Sequence, residues 1–383
     1  MPFDVAVVGG GLVGAALAHA LRGASVALIA QERPAAPGPG FDSRIYAISP
    51  GNARFLAGLQ AWRRLPEARL TPVHCMRVHG DDGRSVIEFD AYRAGVSELA
   101  WIVEDDLLQE ALWRDLERQD GLQLYAPAAC ERIAIGETAS VALRDGRALE
   151  ARLVVGADGA RSLVREMAGI AAQERPYGQV AVVANFACRN RHQNTALQWF
   201  LGGPVLALLP LPGNHVSMVW STTEAHAAHL LSLAPAALAL EVAQASRNAL
   251  GELDVVTPAR GFALRRMIAE RMVAPRVALV GDAAHVVHPL AGQGANLGFQ
   301  DARELAQVLM AREPFRDPGD TRLLRRYERA RAEAILAMRG AVHGLYRLFE
   351  AHSAPLAWLR NAGFNLTDRF AMLKNVLMRQ AMN

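Results

Sequence analysis

The sequence predicts an α/β protein in which a Rossmann-like unit is interleaved with an antiparallel-sheet domain and followed by a helical C-terminus. Three observations predict it. A Val-rich run, FDVAVVGG at 3–10, precedes a helix-like run and a second apolar run, so a β-α-β unit opens the chain. Strand-like runs cluster between 178 and 221, among them QVAVVANFAC, VLALLPLP and HVSMVWST. VALVG at 277–281 returns to the buried-strand type, and nearly everything from 293 onward has helical character. The expected division is discontinuous. Residues 1–70, 101–172 and 276–320 form the Rossmann-like domain, 71–100 and 173–275 the sheet domain, and 321–383 a C-terminal helical segment.

Each element has a local reason. LVGAALAHALRG at 12–23 reads as the first helix and SVALIA at 25–30 as the second strand. The Pro- and Gly-rich stretch ERPAAPGPGFDSR at 32–44 reads as a loop. Ser49 followed by Pro50 reads as an N-cap with proline at the first helical position. Residues 103–119 have helical periodicity, and 122–155 read as short strands with an Asp-Gly turn at 145–146.

Bulk properties narrow the class. The chain has 383 residues, 51% of them hydrophobic, enough for a large buried core. No uninterrupted apolar stretch reaches the roughly 18 residues of a membrane span. The start, MPFDVAVVGGG, lacks the basic and cleavage regions of a signal peptide. Cys75, Cys130 and Cys188 are odd in number and scattered, which points to a reducing, cytoplasmic setting. Net charge is +3, and Lys374 is the one lysine among 41 basic residues. Aromatic residues make up only 6%, so no nucleic-acid partner is expected.

Three segments carry chemistry. In GGGLVG, residues Gly9, Gly11 and Gly14 form G-x-G-x-x-G between a strand and a helix. That context suits a dinucleotide pyrophosphate, because glycine permits close approach and the helix N-terminus offers N–H donors. An acid should end the second strand to bind the ribose, yet Ala30 and Gln31 stand there, and Glu32 comes 18 residues after Gly14. Glu32 reads either as that acid displaced or as a solvated loop residue. In VVGADGARSLVR at 154–165, Asp158 can orient backbone near the dinucleotide, and Arg161 or Arg165 can attract a phosphate. In GDAAHVVHPLAGQGANLG at 281–298, Asp282 ends a strand where a carboxylate can accept from ribityl hydroxyls. Pro289 fixes a bend there, and Gly292, Gly294 and Ala295 leave bare backbone at a helix start, suited to a flavin ring that gains negative charge on reduction.

His285 and His288 stand three apart, but Pro289 and the glycines break a helix there and no third ligand is evident, so no metal is expected. A structural role and a role in substrate positioning or proton transfer both remain open for them. They are the weak catalytic candidates, and no catalytic residue is assigned.

The three glycine-rich segments occur in the order seen in class A flavoprotein monooxygenases, and the chain resembles the ubiquinone-biosynthesis hydroxylases along essentially its whole length. SRIYAIS at 43–49, ALLPLPGNHVSMVWST at 207–222, and a C-terminal run with Tyr327, Arg331, Leu348, Phe349 and Arg360 support the resemblance. It implies a p-hydroxybenzoate-hydroxylase-like fold and bound FAD, with NAD(P)H and O2 as co-substrates. It also implies hydroxylation of a polyprenylated phenol through a flavin C4a-hydroperoxide.

Residue by residue, the resemblance implies that Gly9, Gly11 and Gly14, with Val13 between them, hold the FAD pyrophosphate. Arg44 matches the arginine lying along the cofactor near the flavin. Asp158 matches the aspartate linked to FAD and NADPH. Asp282, preceded by Gly281, matches the ribityl aspartate, and Pro289, Gly292, Gly294, Ala295 and Asn296 match the stretch lining the isoalloxazine. Gln109 is a flavin-side candidate. Ala30 and Asp105 depart from the usual pattern. Alternative functions are a flavin-dependent reductase or dehydrogenase of the same fold, or a non-catalytic flavin-binding subunit. The Arg- and Leu-rich C-terminus reads as an ordinary helical layer or as a contact with a ubiquinone-biosynthesis complex or the inner-membrane surface.

Overall fold

The computed structural model describes residues 1–82, 84–287 and 293–333. The run FDVAVV forms the strand Phe3–Val8, at the centre of the first sheet. It pairs in parallel with Val26–Ile29 on one side and Ala148–Gly156 on the other. Leu122–Tyr125 and Val277–Leu279 extend the parallel array outward. Val26–Ile29 and Val277–Leu279 are apolar and buried throughout, as strands covered on both faces are, whereas Ala148–Gly156 alternates between buried and exposed over its first half. The helix Leu12–Ala20 packs against the long helix Gln293–Met310. Its Ala15, Ala16 and Ala18 are wholly buried, and their small size permits that approach.

The second sheet runs in the spatial order His285–Val286, Arg260–Ala269, Ala172–Cys188, His215–Thr223, Val205–Leu211, Thr195–Phe200, Cys75–His79, Val86–Asp90. Its pairings are antiparallel, except that Thr195–Phe200 runs parallel to Cys75–His79. Period-two alternation gives the sheet two different faces. Leu206 and Leu208 point into a core with Phe186, Met218 and Trp220, closed by the helices Glu224–Ser232 and Pro235–Ala245. Each fully buried leucine there contributes about 1.5–3 kcal/mol. Val205, Ala207 and Leu209 point the other way, into a cavity.

A three-stranded antiparallel sheet of Ile45–Ile48, Ala100–Glu104 and Thr71–Val73 bridges the two larger ones. Val73 and Ile102 from it pack with Ala196 and Leu211 of the second sheet. Here the structure corrects the helical reading of 103–119. Val103 and Glu104 are strand, the helix is Asp105–Trp113, and Leu116–Arg118 is a separate 3-10 turn. Sheet pairing claimed the first two residues despite their helical periodicity, since Ile45 lies opposite Glu104 and Tyr46 opposite Val103. Ser49 caps the helix Pro50–Gly58 as expected, its side chain accepting from the N–H of Asn52. The helical start of the C-terminal segment is visible over 321–333. Residues 334–383, with most of that segment, lie outside the described residues.

Candidate cofactor and substrate site

The glycine turn after the first strand is shaped by close approach. Gly9 has φ +115°, and a Cβ on it would meet the carbonyl oxygen of Ala157 at 2.2 Å. A Cβ on Gly14 would meet the carbonyl oxygen of Gly9 at 1.9 Å. Both glycines are therefore required by packing. Gly11 differs: nothing lies within 4 Å of its would-be Cβ, and it is the N-cap of the first helix with no side-chain cap. Its bare backbone and the uncapped helix N-terminus face open space, which is what an anion needs. The Trp113 indole N–H donates to the Gly10 carbonyl at 2.8 Å and holds the turn from the far side.

That open space is the end of a cavity of about 1320 Å³. Gly9, Gly11, Val13, Glu32, Arg44, Gln109, Asp158, Asp282, Gly294, Ala295 and Asn296 all line it. Gly14 and Gly281 lie behind the wall, Gly281 against Val13. His288, Pro289 and Gly292 lie outside the described residues. The volume exceeds the roughly 300–1,000 Å³ of most small-molecule pockets, so a large cofactor and a second molecule fit together.

The middle of the cavity is polar. Arg44 reaches Asp105 at 3.4 Å and lies over the Phe262 ring, 5.6 Å from its centre. Burial opposes the charge of Arg44, but Tyr46, Asp105 and Asp42 hold its pKa above the ordinary value. Burial raises the pKa of Tyr46, with Asp105 adding to it. Burial likewise raises that of Asp105, against the pull of Arg44. One oxygen of Asp105, Oδ1, is buried with no hydrogen-bond partner among the described residues. Among the described residues the Asp282 carboxylate makes no hydrogen bond; its accessible surface belongs to the cavity wall, and desolvation raises its pKa while His285, Arg44 and Arg265 oppose the rise.

Several expected residues have other work. Asp158 accepts from the Ser162 hydroxyl and from the Val164 N–H at 3.1 Å, so its carboxylate caps a short helix. Arg165 donates to the carbonyls of Ala283 and Ala160, both at 2.9 Å. It is spent on the fold, while Arg161 lines the cavity. The Asn296 side chain accepts from the Ser49 N–H at 2.9 Å and donates to the Ala47 carbonyl at 2.7 Å, leaving backbone as what it can offer a ligand. His285 does not line the cavity. It is buried and bonded to Asp301 at 2.7 Å, which favours the structural reading over proton transfer.

Sequence reasoning missed Asp301, Trp113, Tyr46 and Gln198. Asp301 lies within a helical run and looked like any polar helix residue. Gln198, the polar residue in TALQWF, was legible as an interruption of an apolar strand.

The residues fit FAD. Open backbone at Gly11, the unpartnered Asp105 oxygen and the Asp282 carboxylate in the cavity wall suit a phosphate-bearing, hydroxyl-rich cofactor. The comparisons agree. A family model described as an FAD binding domain matches residues 2–339. The chain is 38% identical over 386 residues to the ubiquinone hydroxylase UbiL of Rhodospirillum rubrum, covering 99% of this chain and 89% of that protein. It is 34% identical to the 3-demethoxyubiquinol 3-hydroxylase of Escherichia coli, covering 100% and 98% of the two chains. Pseudomonas aeruginosa PqsL, titled a probable FAD-dependent monooxygenase, shares the fold with a TM-score of 0.79 at 24% identity, over 96% of this chain and 100% of that one. A glycine turn and a mixed sheet facing one cavity, with alignments spanning both chains nearly end to end, place this chain in the FAD-binding-domain family of flavoprotein monooxygenases that includes the ubiquinone-biosynthesis hydroxylases.

Proposed function

We propose that the protein is an FAD-dependent monooxygenase that hydroxylates a polyprenylated phenol in ubiquinone biosynthesis, using NAD(P)H and O2. The observation that carries this is the composition of one continuous cavity. At one end it is bare glycine backbone beside a helix N-terminus, and at the other it is the apolar face of the second sheet. FAD, when bound, supplies the redox centre at which oxygen is activated.

The chain's own residues bind, orient and exclude water. Gly9, Gly11 and the helix start at Leu12 receive the pyrophosphate. Asp282 accepts from ribityl hydroxyls, and Arg44 and Asp105 flank the same region. Val73, Met76, Leu99, Val205, Leu209 and Val219 make a wall that suits an apolar ring and tail and keeps water from the reacting end.

Purified protein given FAD, NAD(P)H and a prenylated phenol should form a product one oxygen heavier by mass spectrometry. Oxygen consumption without hydroxylated product would favour the reductase reading. Among the described residues, no helix is long and apolar enough to cross a membrane. We place the protein in the cytoplasm with peripheral contact to the inner membrane or a biosynthetic complex. The Arg- and Leu-rich C-terminal sequence supports this, and failure to co-float with anionic vesicles or to co-purify with partners would remove that part.

A further inference from the structure

We infer that Gln198 reads the polar head of the substrate, as a specificity-determining contact for a neutral ring hydroxyl. The inference rests on the phenol-hydroxylase reading above and names the residue that recognises the phenol.

Gln198 lies on the strand Thr195–Phe200, is only 8% exposed, and lines the cavity. Its side-chain amide has no hydrogen-bond partner among the described residues. The amide opens into the cavity and is not among the sealed-off polar atoms, so an occupant that excludes water there must itself supply the amide's hydrogen bonds. Its neighbours within the sheet offer none. On the same face of its own strand stand Ala196 and Phe200. Ala207 is its partner on the next strand and Val219 the partner beyond that, while Val78 is its partner on the other side.

Ser221 is the other polar side chain that this sheet gives to the cavity. It lies two strands across and one row along, about 12 Å away by ordinary strand spacing, out of reach. The sheet's part of the wall therefore carries one isolated amide within an apolar surface, and its partner is to come from the occupant.

The chemistry of that partner follows. A carboxamide presents a donor and an acceptor side by side, which a hydroxyl satisfies because it both donates and accepts. A hydrocarbon tail satisfies neither. A carboxylate would need a cation, and among the described residues the sheet's part of the wall supplies no arginine or lysine. The group at Gln198 is a neutral ring hydroxyl, with the apolar remainder of the molecule against Ala207, Val219 and their neighbours.

The test measures binding of 2-geranylphenol and of geranylbenzene, which lacks the hydroxyl, to the FAD-loaded protein by calorimetry without reductant. Wild-type protein should prefer the phenol by about tenfold or more, the size of one buried hydrogen bond. Gln198→Leu should bind the two probes equally while keeping its FAD content and melting temperature. Gln198→Met, of nearly the same shape, serves if leucine disturbs the strand. Wild-type discrimination that survives intact in the folded variant overturns the inference alone. Wild-type protein that binds neither probe overturns the substrate reading and the inference with it.

Discussion

Asp301 and His285 are hydrogen-bonded at 2.7 Å, with both side chains inside the protein. The same Asp301 oxygen accepts from the Gly281 N–H at 2.9 Å, and its other oxygen accepts from Arg331 Nε at 2.6 Å. One carboxylate on the helix Gln293–Met310 thus ties down the turn that presents Asp282 and the helix spanning 321–333. Tyr327 adds a second tie, its hydroxyl donating to the Leu279 carbonyl at 2.8 Å.

Replacing Asp301 with Ala leaves the Arg331 cation and a buried imidazole without their shared partner. Breaking a buried pair in this way costs about 3–5 kcal/mol. The expected outcome is a melting temperature lowered by many degrees in both apo and FAD-loaded protein. A variant within a degree of wild type would show that the cluster contributes nothing.

The pair also sets a pH dependence. Burial lowers the His285 pKa, but Asp301 beside it outweighs that, and the result lies above the ordinary value. Burial opposes the ionisation of Asp301, yet His285 and Arg331 hold its pKa below the ordinary value. A raised histidine stabilises fully below its unfolded pKa, and that stability is lost as pH rises through the folded one. The depressed aspartate stabilises above its own unfolded pKa and fails only as pH falls through its folded value. Besides Asp301, the charged groups acting on His285 are Arg331 and Asp282. Urea unfolding from about pH 6 to pH 9 should show stability declining on the alkaline side, and His285→Asn should flatten that decline. Equal slopes in the two proteins would refute the assignment.

Asp282→Ala removes the carboxylate assigned to the ribityl chain. FAD affinity, read by quenching of flavin fluorescence, should fall by about ten- to a hundredfold, the range for a hydrogen bond to a charged group. Unchanged affinity in a folded variant would contradict the role.

Gly14 and Gly11 should respond differently to alanine. A Cβ at Gly14 would stand 1.9 Å from the Gly9 carbonyl oxygen, so Gly14→Ala should destabilise the apo protein by several kcal/mol. A Cβ at Gly11 meets nothing, so Gly11→Ala should cost the apo protein no more than about 1 kcal/mol, the loss of a favoured N-cap residue, and weaken FAD binding. Chemical unfolding paired with FAD titration separates the two effects, and equal apo stabilities would refute the packing argument.

Much of the site was legible because its parts are local. Gly9, Gly11 and Gly14 announce a turn through their spacing, and that turn is set by residues a few positions apart. Ser49 capped its helix because a cap depends on the next three residues. The early start given to the helix at Asp105 has the opposite cause, since Val103 and Glu104 pair with Tyr46 and Ile45 about sixty positions earlier.

The order of elements and the glycine cradle at the first helix are determined by sequence alone, because backbone sterics and hydrophobic period act over short spans. Tertiary structure alone decided how the buried polar groups are shared. It gave Asp158 and Arg165 to the fold, joined His285 to Asp301 and Arg331, and left Gln198 facing the cavity without a partner. A buried polar side chain takes its role from whatever group packing brings within about 3 Å, and that group can lie anywhere along the chain.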